Sequence, residues 1–171
     1  KLLQNEKNYV IGIDNLSSGN LGNIKNFIKK KNFKFIKIDL NNKTLINKIS
    51  KVDCVFHLAA LSDIIPSVSD PVTYFKSNVE ATVNLLEIMK AKSIKKIIYA
   101  ASSSCYGLPK KYPTDEDCEI DTRYPYSYTK YIAEKTIIHW SSVYNLKAIS
   151  LRLFNVYGPR VRTVGHYGAV F

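Results

Sequence analysis

The sequence predicts an α/β fold in which a doubly wound parallel sheet has helices on both faces. Short apolar runs alternate with longer stretches of helical period, which is the order expected of parallel strands joined by crossover helices. The apolar runs contain few polar residues, as is typical of strands covered on both faces. A chain of 171 residues can bury one core, so we predict a single domain.

The predicted elements follow one another in regular order. Strands are predicted over residues 9–13, 33–38, 54–58, 96–101 and 148–153, and helices over residues 21–31, 43–50, 72–92 and 125–144. Pro125 suits the first turn of the last helix. Three consecutive lysines at 29–31 fall at the end of the first helix, where cations stabilise the helix dipole.

Composition limits the classes of function that are open to the chain. The net charge is +11, a balance typical of proteins that bind nucleic acids or membranes, but the lysines are scattered. We therefore predict a solvated basic surface that attracts an anionic substrate. Cys54, Cys105 and Cys118 have neither metal-ligand spacing nor an even disulfide framework, which predicts a cytoplasmic protein without a metal site. We expect neither a membrane span nor a signal peptide.

A tyrosine and a lysine with catalytic spacing occur in the last predicted helix. Tyr126 and Lys130 are four residues apart, so they lie on one helix face. A nearby ammonium favours the phenolate, which makes a tyrosine a usable base near neutral pH. A serine hydroxyl from the cluster at residues 102–104 could orient the substrate oxygen. Tyr131 and Lys135 have the same spacing, so spacing alone cannot decide which of the two pairs is catalytic.

Helical geometry supplies a second criterion. At about 100° per residue, Tyr126 and Lys130 begin a narrow stripe that should pack on the sheet. Its members are Tyr126, Lys130, Ala133, Ile137, Trp140 and Tyr144, with Trp140 predicted as a core residue. The start of the stripe lies near the carboxyl ends of the strands, where ligands bind in this architecture. Tyr131 and Lys135 fall about a quarter turn away, so the geometry selects Tyr126 and Lys130.

Three residues near strand ends have alternative interpretations. Asp14 ends a strand, where a carboxylate can accept hydrogen bonds from ribose hydroxyls and repel a 2′-phosphate, which favours NAD over NADP; it could instead begin a turn. Asp39 follows the next strand and could be a helix N-cap. His57 lies on a buried strand, and we predict a hydrogen-bonded core histidine without a catalytic role.

Several motifs, in this order, resemble the extended short-chain dehydrogenase/reductases, and within them the NAD-dependent nucleotide-sugar epimerase/dehydratase group. They are Ser-Ser-Ser-Cys-Tyr-Gly at 102–107, Tyr-x-x-x-Lys at 126–130 and Leu-Arg-Leu-Phe-Asn-Val-Tyr-Gly-Pro at 151–159. The resemblance covers nearly the whole chain and implies a Rossmann-like fold, bound NAD, a UDP-sugar substrate and a homodimer. The family's Gly-x-x-Gly-x-x-Gly turn is not present in these 171 residues. We therefore expect residues 1–171 to be part of an NAD-binding domain, with most of the substrate-binding region elsewhere.

The resemblance also implies roles for individual residues. The implied catalytic residues are Ser102, Tyr126 and Lys130. The implied cofactor contacts are Asp14, Asn15, Ser18, Asp39, Leu40, Leu58, Ala59, Ala60, Asn78, Tyr126, Lys130 and Phe154. The implied substrate contacts are Ser102, Ser103, Tyr126 and Asn155, and the nucleotide phosphates could meet Arg160, Arg162 and His166.

The residues after Ser102 distinguish between reactions in the resembling family. Related dehydratases have Asp and Glu at the next two positions, whereas this chain has Ser103 and Ser104. Without a carboxylate to drive elimination, the chemistry should stop at reversible oxidation and reduction. The resemblance thus implies inversion at C4 of a UDP-hexose through a 4-keto sugar. A UDP-glucuronate epimerase, a keto-sugar reductase and a non-enzymatic NAD- or RNA-binding relative stay open as alternatives.

Overall fold

Two parallel sheets contain the five predicted strands. The structure is a computed structural model that describes residues 2–159. The chain divides into two compact units, one ending at Ser50 and the next beginning at Lys51. The first unit contains β1 (Val10–Asp14) and β2 (Phe33–Lys37); the second contains β3 (Val55–His57), β4 (Lys96–Ser102) and β5 (Lys147–Leu153). Every pair is parallel, and each strand boundary lies within one residue of its prediction.

The helices of the first unit are shorter than predicted. Only a 3-10 turn (Leu21–Asn23) and α1 (Lys25–Ile28) form within 21–31, and only α2 (Leu45–Lys48) forms within 43–50, so both predicted extents are wrong. The Asn20 side chain accepts a hydrogen bond from Gly22 N, and the Asn42 side chain accepts one from Thr44 N. Such local side-chain bonds satisfy the backbone outside a helix and so compete with helix formation.

The second unit contains two long helical segments. The first runs through α4 (Pro71–Phe75), one π-helical turn (Lys76–Glu80) and α5 (Ala81–Ala91); the second is α6 (Pro125–Tyr144), which has the predicted bounds. A short helix that we did not predict, α3 (Ile64–Ser69), precedes them. Pro66 is its third residue, in the first turn, where the amide that proline lacks would have no helical acceptor.

The core of the second unit lies between α5, β4 and α6. Leu86, Met89, Ile97 and Tyr99 are almost fully buried and pack with Ala133 and Ile137 of α6. Lys130 is buried on the same stripe, while Trp140 and Tyr144 are partly buried against the cluster. The predicted stripe of α6 is therefore confirmed, including Trp140 as a core residue. In the part of the chain that the structure describes, no helix is long and apolar enough to cross a bilayer.

A glycine shapes the loop that follows β4. Gly107 has φ +59 and ψ −118, a backbone conformation that residues with a side chain rarely adopt. A Cβ atom placed there would lie 2.5 Å from the carbonyl oxygen of Asp121. The loop can therefore pass close to Asp121 only because residue 107 has no side chain.

We predict that Gly107→Ala lowers the free energy of unfolding by about 1–3 kcal/mol, because the new methyl group meets strain and a backbone clash. Urea unfolding would measure the change. Leu108→Ala is the matched control, since that neighbouring side chain is exposed, and we expect a change within about 0.5 kcal/mol. Equal stability of Gly107→Ala and the wild type would contradict the described loop.

Candidate active site at the carboxyl ends of the strands

The carboxyl edge of the three-stranded sheet brings the predicted site segments together. The register pairs Ser102 of β4 with Leu153 of β5, so these strands end side by side, and His57 ends β3 opposite Tyr99. Residues 58–61, 103–106 and 154–155 leave the sheet at this edge. Ligands of α/β proteins bind at the carboxyl ends of parallel strands, so this edge of the second unit is the candidate active site.

Lys130 is buried beneath this edge. Its side chain is 4% exposed, and Nζ donates a hydrogen bond to the carbonyl oxygen of Ala100 at 2.6 Å. Nζ also lies 4.4 Å from the centre of the Tyr99 ring, within the range of a cation–π contact. Burial lowers the pKa of Lys130 to about 8. Its charge therefore sits where solvent screens it little, next to the segment of β4 that ends two residues later at Ser102.

Tyr126 lies one helical turn before Lys130, at the start of α6. Its backbone N–H donates to Ser67 Oγ at 3.1 Å, and its carbonyl oxygen accepts from Thr129 Oγ1 at 2.9 Å. Ser67 and Thr129 are both buried, so bulk water does not compete for these two hydrogen bonds. Both the amide and the carbonyl group of Tyr126 are thus hydrogen-bonded to buried side chains.

The second Tyr-x-x-x-Lys pair lies apart from these contacts. Lys135 is exposed, and its Nζ lies 5.2 Å from the centre of the half-buried Tyr131 ring. Its environment is that of a surface pair, whereas Lys130 is enclosed by β4 and α6.

The serine cluster forms a tight turn after β4. Ser102 is the N-cap of a 3-10 turn (Ser103–Tyr106), and its Oγ accepts from Ser104 N at 3.2 Å. The Ser102 and Ser104 hydroxyls are 2.8 Å apart. When Ser104 is the donor of that bond, Ser102 keeps its own proton to donate to a ligand oxygen. Ser102 and Ser103 are half-buried at the edge of the sheet.

Asn78 connects the segment after β3 to α6. The residue is 1% exposed and lies in the π-helical turn. Its Oδ1 accepts from Leu61 N at 2.8 Å, and its Nδ2 donates to Leu61 O at 3.0 Å and to Thr129 Oγ1 at 3.1 Å. The side chain therefore binds both backbone groups of Leu61 and, through Thr129, the backbone of Tyr126. The implied contact of Asn78 with the cofactor stays a prediction.

His57 is the core histidine that the sequence predicts. It is buried, and Nε2 lies 2.8 Å from Thr82 Oγ1, whose hydroxyl donates to Asn78 O at 2.6 Å. Because the single Thr82 proton is used in that bond, Nε2 must be the protonated nitrogen and the donor to Thr82. Burial lowers the pKa of His57 to about 3, and the nearby Lys130 charge acts in the same direction. The ring is therefore neutral and structural.

The segment after His57 is open to a ligand. Leu58 and Ala59 are exposed, and Ala60 is half-buried. Phe154 and Asn155, which follow β5, are also exposed, and the Phe154 ring stacks on Tyr106 at 6.5 Å between centroids. The cofactor and substrate roles of these residues stay predictions.

An ion pair between the buried Glu134 and the half-buried Arg152, which we did not predict, supports the same edge. The Glu134 carboxylate is 3% exposed and accepts from Arg152 at 2.7 Å and from Ser150 Oγ at 3.0 Å. Arg152 also donates to the Tyr106 hydroxyl at 2.9 Å and to Glu116 O at 3.3 Å. Glu134 thereby fixes the arginine that holds the end of the Ser103–Tyr106 turn. The sequence signal for this pair was Glu134, an acidic residue near the buried face of α6, since a buried charge requires a partner.

The first unit places two carboxylates at adjacent strand ends. Asp14 Oδ1 accepts from Leu16 N at 2.6 Å, which confirms the turn beginning at Asp14, and Asn15 Nδ2 donates to Asp39 Oδ2 at 2.6 Å. Asp39 Oδ1 accepts from Asn41 N, while the N-cap of α2 is Thr44, so the alternative of Asp39 as a helix N-cap is wrong.

These groups fit the adenosine end of a dinucleotide. Asp14 and Asp39 are exposed acceptors at the ends of β1 and β2, as ribose hydroxyls and the adenine amine require. A Cβ atom at Gly19 would lie 2.8 Å from both Asp14 carboxylate oxygens, so a larger residue would crowd this acceptor. Ser18 is exposed and Leu40 half-buried nearby in sequence, and their cofactor contacts stay predictions.

Two further expectations concern metals and phosphates. Within residues 2–159, no group of three or more His, Cys, Asp or Glu side chains is placed to hold a metal ion. The three cysteines in this range are free thiols. The predicted phosphate contacts Arg160, Arg162 and His166 lie outside the described residues.

We predict that Lys130 loses its proton near pH 8, because burial penalises the ammonium. The Cε resonance of Lys130, followed by NMR against pH and assigned with Lys130→Arg, would measure it. An unfolded lysine keeps its proton to about pH 10.4, so unfolding takes up a proton between these values and this group makes stability rise with pH there. A midpoint near the ordinary lysine value would contradict the buried site.

Comparison with known proteins identifies the family that this sequence matches. The model of the NAD dependent epimerase/dehydratase family matches residues 1–170. A UDP-glucose 4-epimerase of Mycolicibacterium smegmatis is 34% identical over 164 residues, which cover 94% of this chain and 52% of that protein. A UDP-glucuronate 4-epimerase of Thermodesulfobacterium geofontis is 37% identical over 172 residues, which cover 95% of this chain and 53% of that protein.

A solved structure has the same fold over nearly the whole chain. It is a UDP-N-acetylglucosamine 4-epimerase from Methanobrevibacter ruminantium M1, in complex with UDP-N-acetylmuramic acid. Its TM-score is 0.91 at 36% identity, covering 99% of this chain and 54% of that one. The chain thus spans about half the length of the relatives it matches. The matched family model, the Rossmann-like fold and the motifs at the sheet edge together show that this chain belongs to the NAD dependent epimerase/dehydratase family.

Proposed function

We propose that this chain is part of an NAD-dependent 4-epimerase that inverts C4 of a UDP-hexose, with UDP-glucose or UDP-N-acetylglucosamine as substrate. One observation carries the proposal: a buried lysine, bound to the Ala100 carbonyl near the Ser102 end of β4, lies one helical turn after Tyr126. This arrangement combines a candidate base, a buried cation and a hydroxyl at the ligand-binding edge of a parallel sheet.

Each of the three side chains has a separate task in the proposed reaction. Tyr126, as phenolate, takes the proton from the sugar 4-hydroxyl, and the Lys130 charge stabilises that phenolate. Ser102 donates a hydrogen bond to the same sugar oxygen. Bound NAD would supply the chemistry that the protein lacks, by accepting the C4 hydride and returning it. Inversion follows when the 4-keto sugar turns over and presents its opposite face before Tyr126 returns the proton.

The serine turn supports epimerisation over elimination. Ser103 and Ser104 occupy the positions that carry carboxylates in the related dehydratases, and neither can act as a carboxylate acid or base. The three relatives described above are all named 4-epimerases, at 34%, 37% and 36% identity, and these names support the same reaction type.

The cofactor, location and assembly are part of the same proposal. Within the second unit, NAD would bind along residues 58–60, Tyr126, Lys130 and Phe154. The free cysteines favour a cytoplasmic location. The family resemblance favours a homodimer paired through the two long helical segments over residues 72–92 and 125–144.

A second substrate is favoured by one comparison. The Thermodesulfobacterium geofontis relative is named a UDP-glucuronate 4-epimerase, and its 37% identity is similar to that of the other relatives. The three-residue set and the reaction would be unchanged, while groups that recognise the C6 carboxylate would differ. Activity measurements would distinguish both substrates from keto-sugar reduction and from NAD- or RNA-binding without catalysis.

We predict that the full-length protein, expressed from its gene, converts UDP-glucose or UDP-N-acetylglucosamine to the galacto-configured product without added cofactor. NMR of the sugar anomeric protons would follow the product. Tyr126→Phe should slow the reaction by at least about a hundredfold, because the base is lost. Tyr131→Phe is the matched control, since it alters the surface pair of the same spacing, and it should keep the wild-type rate.

The other results distinguish the alternatives. Turnover of UDP-glucuronate alone would assign the second substrate, and consumption of added NADH with a keto-sugar would assign a reductase. No change in any UDP-sugar, despite bound NAD, would contradict the epimerase proposal. Salt-dependent RNA binding in the absence of turnover would favour the non-enzymatic alternative.

A further inference from the structure

The start of α6 receives one of its hydrogen-bond acceptors from another helix. Tyr124 occupies the N-cap position, where Ser, Thr, Asp and Asn are preferred because their short side chains accept from the second or third amide of the helix. Ser127 Oγ accepts from the Tyr124 N–H at 3.2 Å. The amide of the second helical residue, Tyr126, instead donates to Ser67 Oγ, 59 residues earlier in the chain.

The Ser67 hydroxyl is fixed in position and direction. Ser67 is 0% exposed in α3, and its proton is donated to the carbonyl oxygen of Ile64 at 2.5 Å. With the proton committed to that bond, a lone pair of Oγ is available to the Tyr126 N–H at 3.1 Å. Ser67 therefore performs the task of an N-cap side chain for a helix to which it does not belong.

The helix that carries Ser67 is anchored at its own beginning. The backbone of Asp63, the N-cap of α3, is hydrogen-bonded to the Tyr74 hydroxyl, and Tyr74 is buried in α4. Burial is the main cause that raises the pKa of Tyr74, and a negative charge at the nearby Tyr126 would act in the same direction. A displaced α3 would consequently disturb the surroundings of Tyr126 as well as its backbone.

We propose that Ser67 is a positioning residue for Tyr126: it caps the first turn of α6 from α3 and so sets where the phenol stands relative to Lys130 and Ser102. The inference rests on the proposed function, in which Tyr126 is the base. Ser67 touches neither substrate nor cofactor in this scheme, and its effect passes through the Tyr126 amide. Small errors in the placement of a catalytic group reduce the rate of the chemical step more than they reduce binding.

Ser67→Ala in the full-length protein tests the proposal, since it removes only the hydroxyl. We expect kcat to fall about tenfold, while KM for the UDP-sugar stays within about twofold, because the lost bond acts on the base. The apparent pKa on the acid limb of the kcat profile should rise, since a displaced phenol is less stabilised by Lys130. Ser69→Ala is the matched control in an exposed position of the same helix and should match the wild type.

Amide hydrogen exchange gives a readout that is independent of turnover. Ser67→Ala should raise the exchange rate of Tyr126 and its neighbours in the first turn of α6 by about tenfold or more, relative to the middle of the helix. If Ser67→Ala does not fold, Ser67→Cys replaces it, because a thiol is a weak acceptor of similar size and should give the same changes to a smaller extent.

The outcomes separate this inference from the proposed function. Faster exchange in the first turn of α6, together with the fall in kcat, supports both. If Ser67→Ala exchanges faster but the wild-type protein itself has no epimerase activity, the cap is supported and the proposed function is refuted. Unchanged exchange of the Tyr126 amide, or an unchanged kcat and pH profile in an active enzyme, would overturn the role of Ser67.

Discussion

The candidate site depends on one buried side chain, the amide of Asn78. It binds both backbone groups of Leu61 and the hydroxyl of Thr129, and Thr129 in turn binds the Tyr126 carbonyl. A buried amide forms this many bonds only if every partner is held in place, because an unsatisfied polar group in the core is costly. The segment after β3, the π-helical turn and the start of α6 therefore take their positions together.

Two buried charges near the same edge are stabilised in different ways. The Lys130 ammonium binds a carbonyl oxygen and lies over an aromatic face, while burial lowers its pKa. Glu134 and Arg152 form a hydrogen-bonded ion pair, and this pair raises the pKa of the arginine. The first arrangement leaves a positive charge that solvent screens little, as the proposed stabilisation of a Tyr126 phenolate requires. The second arrangement neutralises its charge and fixes the turn after Ser102.

Hydrophobic periodicity predicted the five strands and α6. Strands buried on both faces appear as continuous apolar runs, and α6 has a clear apolar stripe. The same stripe selected the Tyr126–Lys130 pair, whereas the role of Ser102 was implied by the family resemblance. The short α3 was missed because six residues that include a proline are too few to show a helical period. The helices of the first unit are short because asparagine side chains bind backbone groups that a longer helix would use. The partners of Asn78, Ser67 and Glu134 are distant in sequence, so only the folded chain brings them together.

A double-mutant cycle between Asn78 and Thr129 tests the central claim, that one connected network fixes the backbone of Tyr126. The free energy of urea unfolding would be measured for Asn78→Ala, Thr129→Val and the double variant of the full-length protein. The two substitutions should be coupled by about 1 kcal/mol or more, because either one alone already removes the hydrogen bond between Asn78 and Thr129. Effects that add within about 0.3 kcal/mol would contradict a shared network.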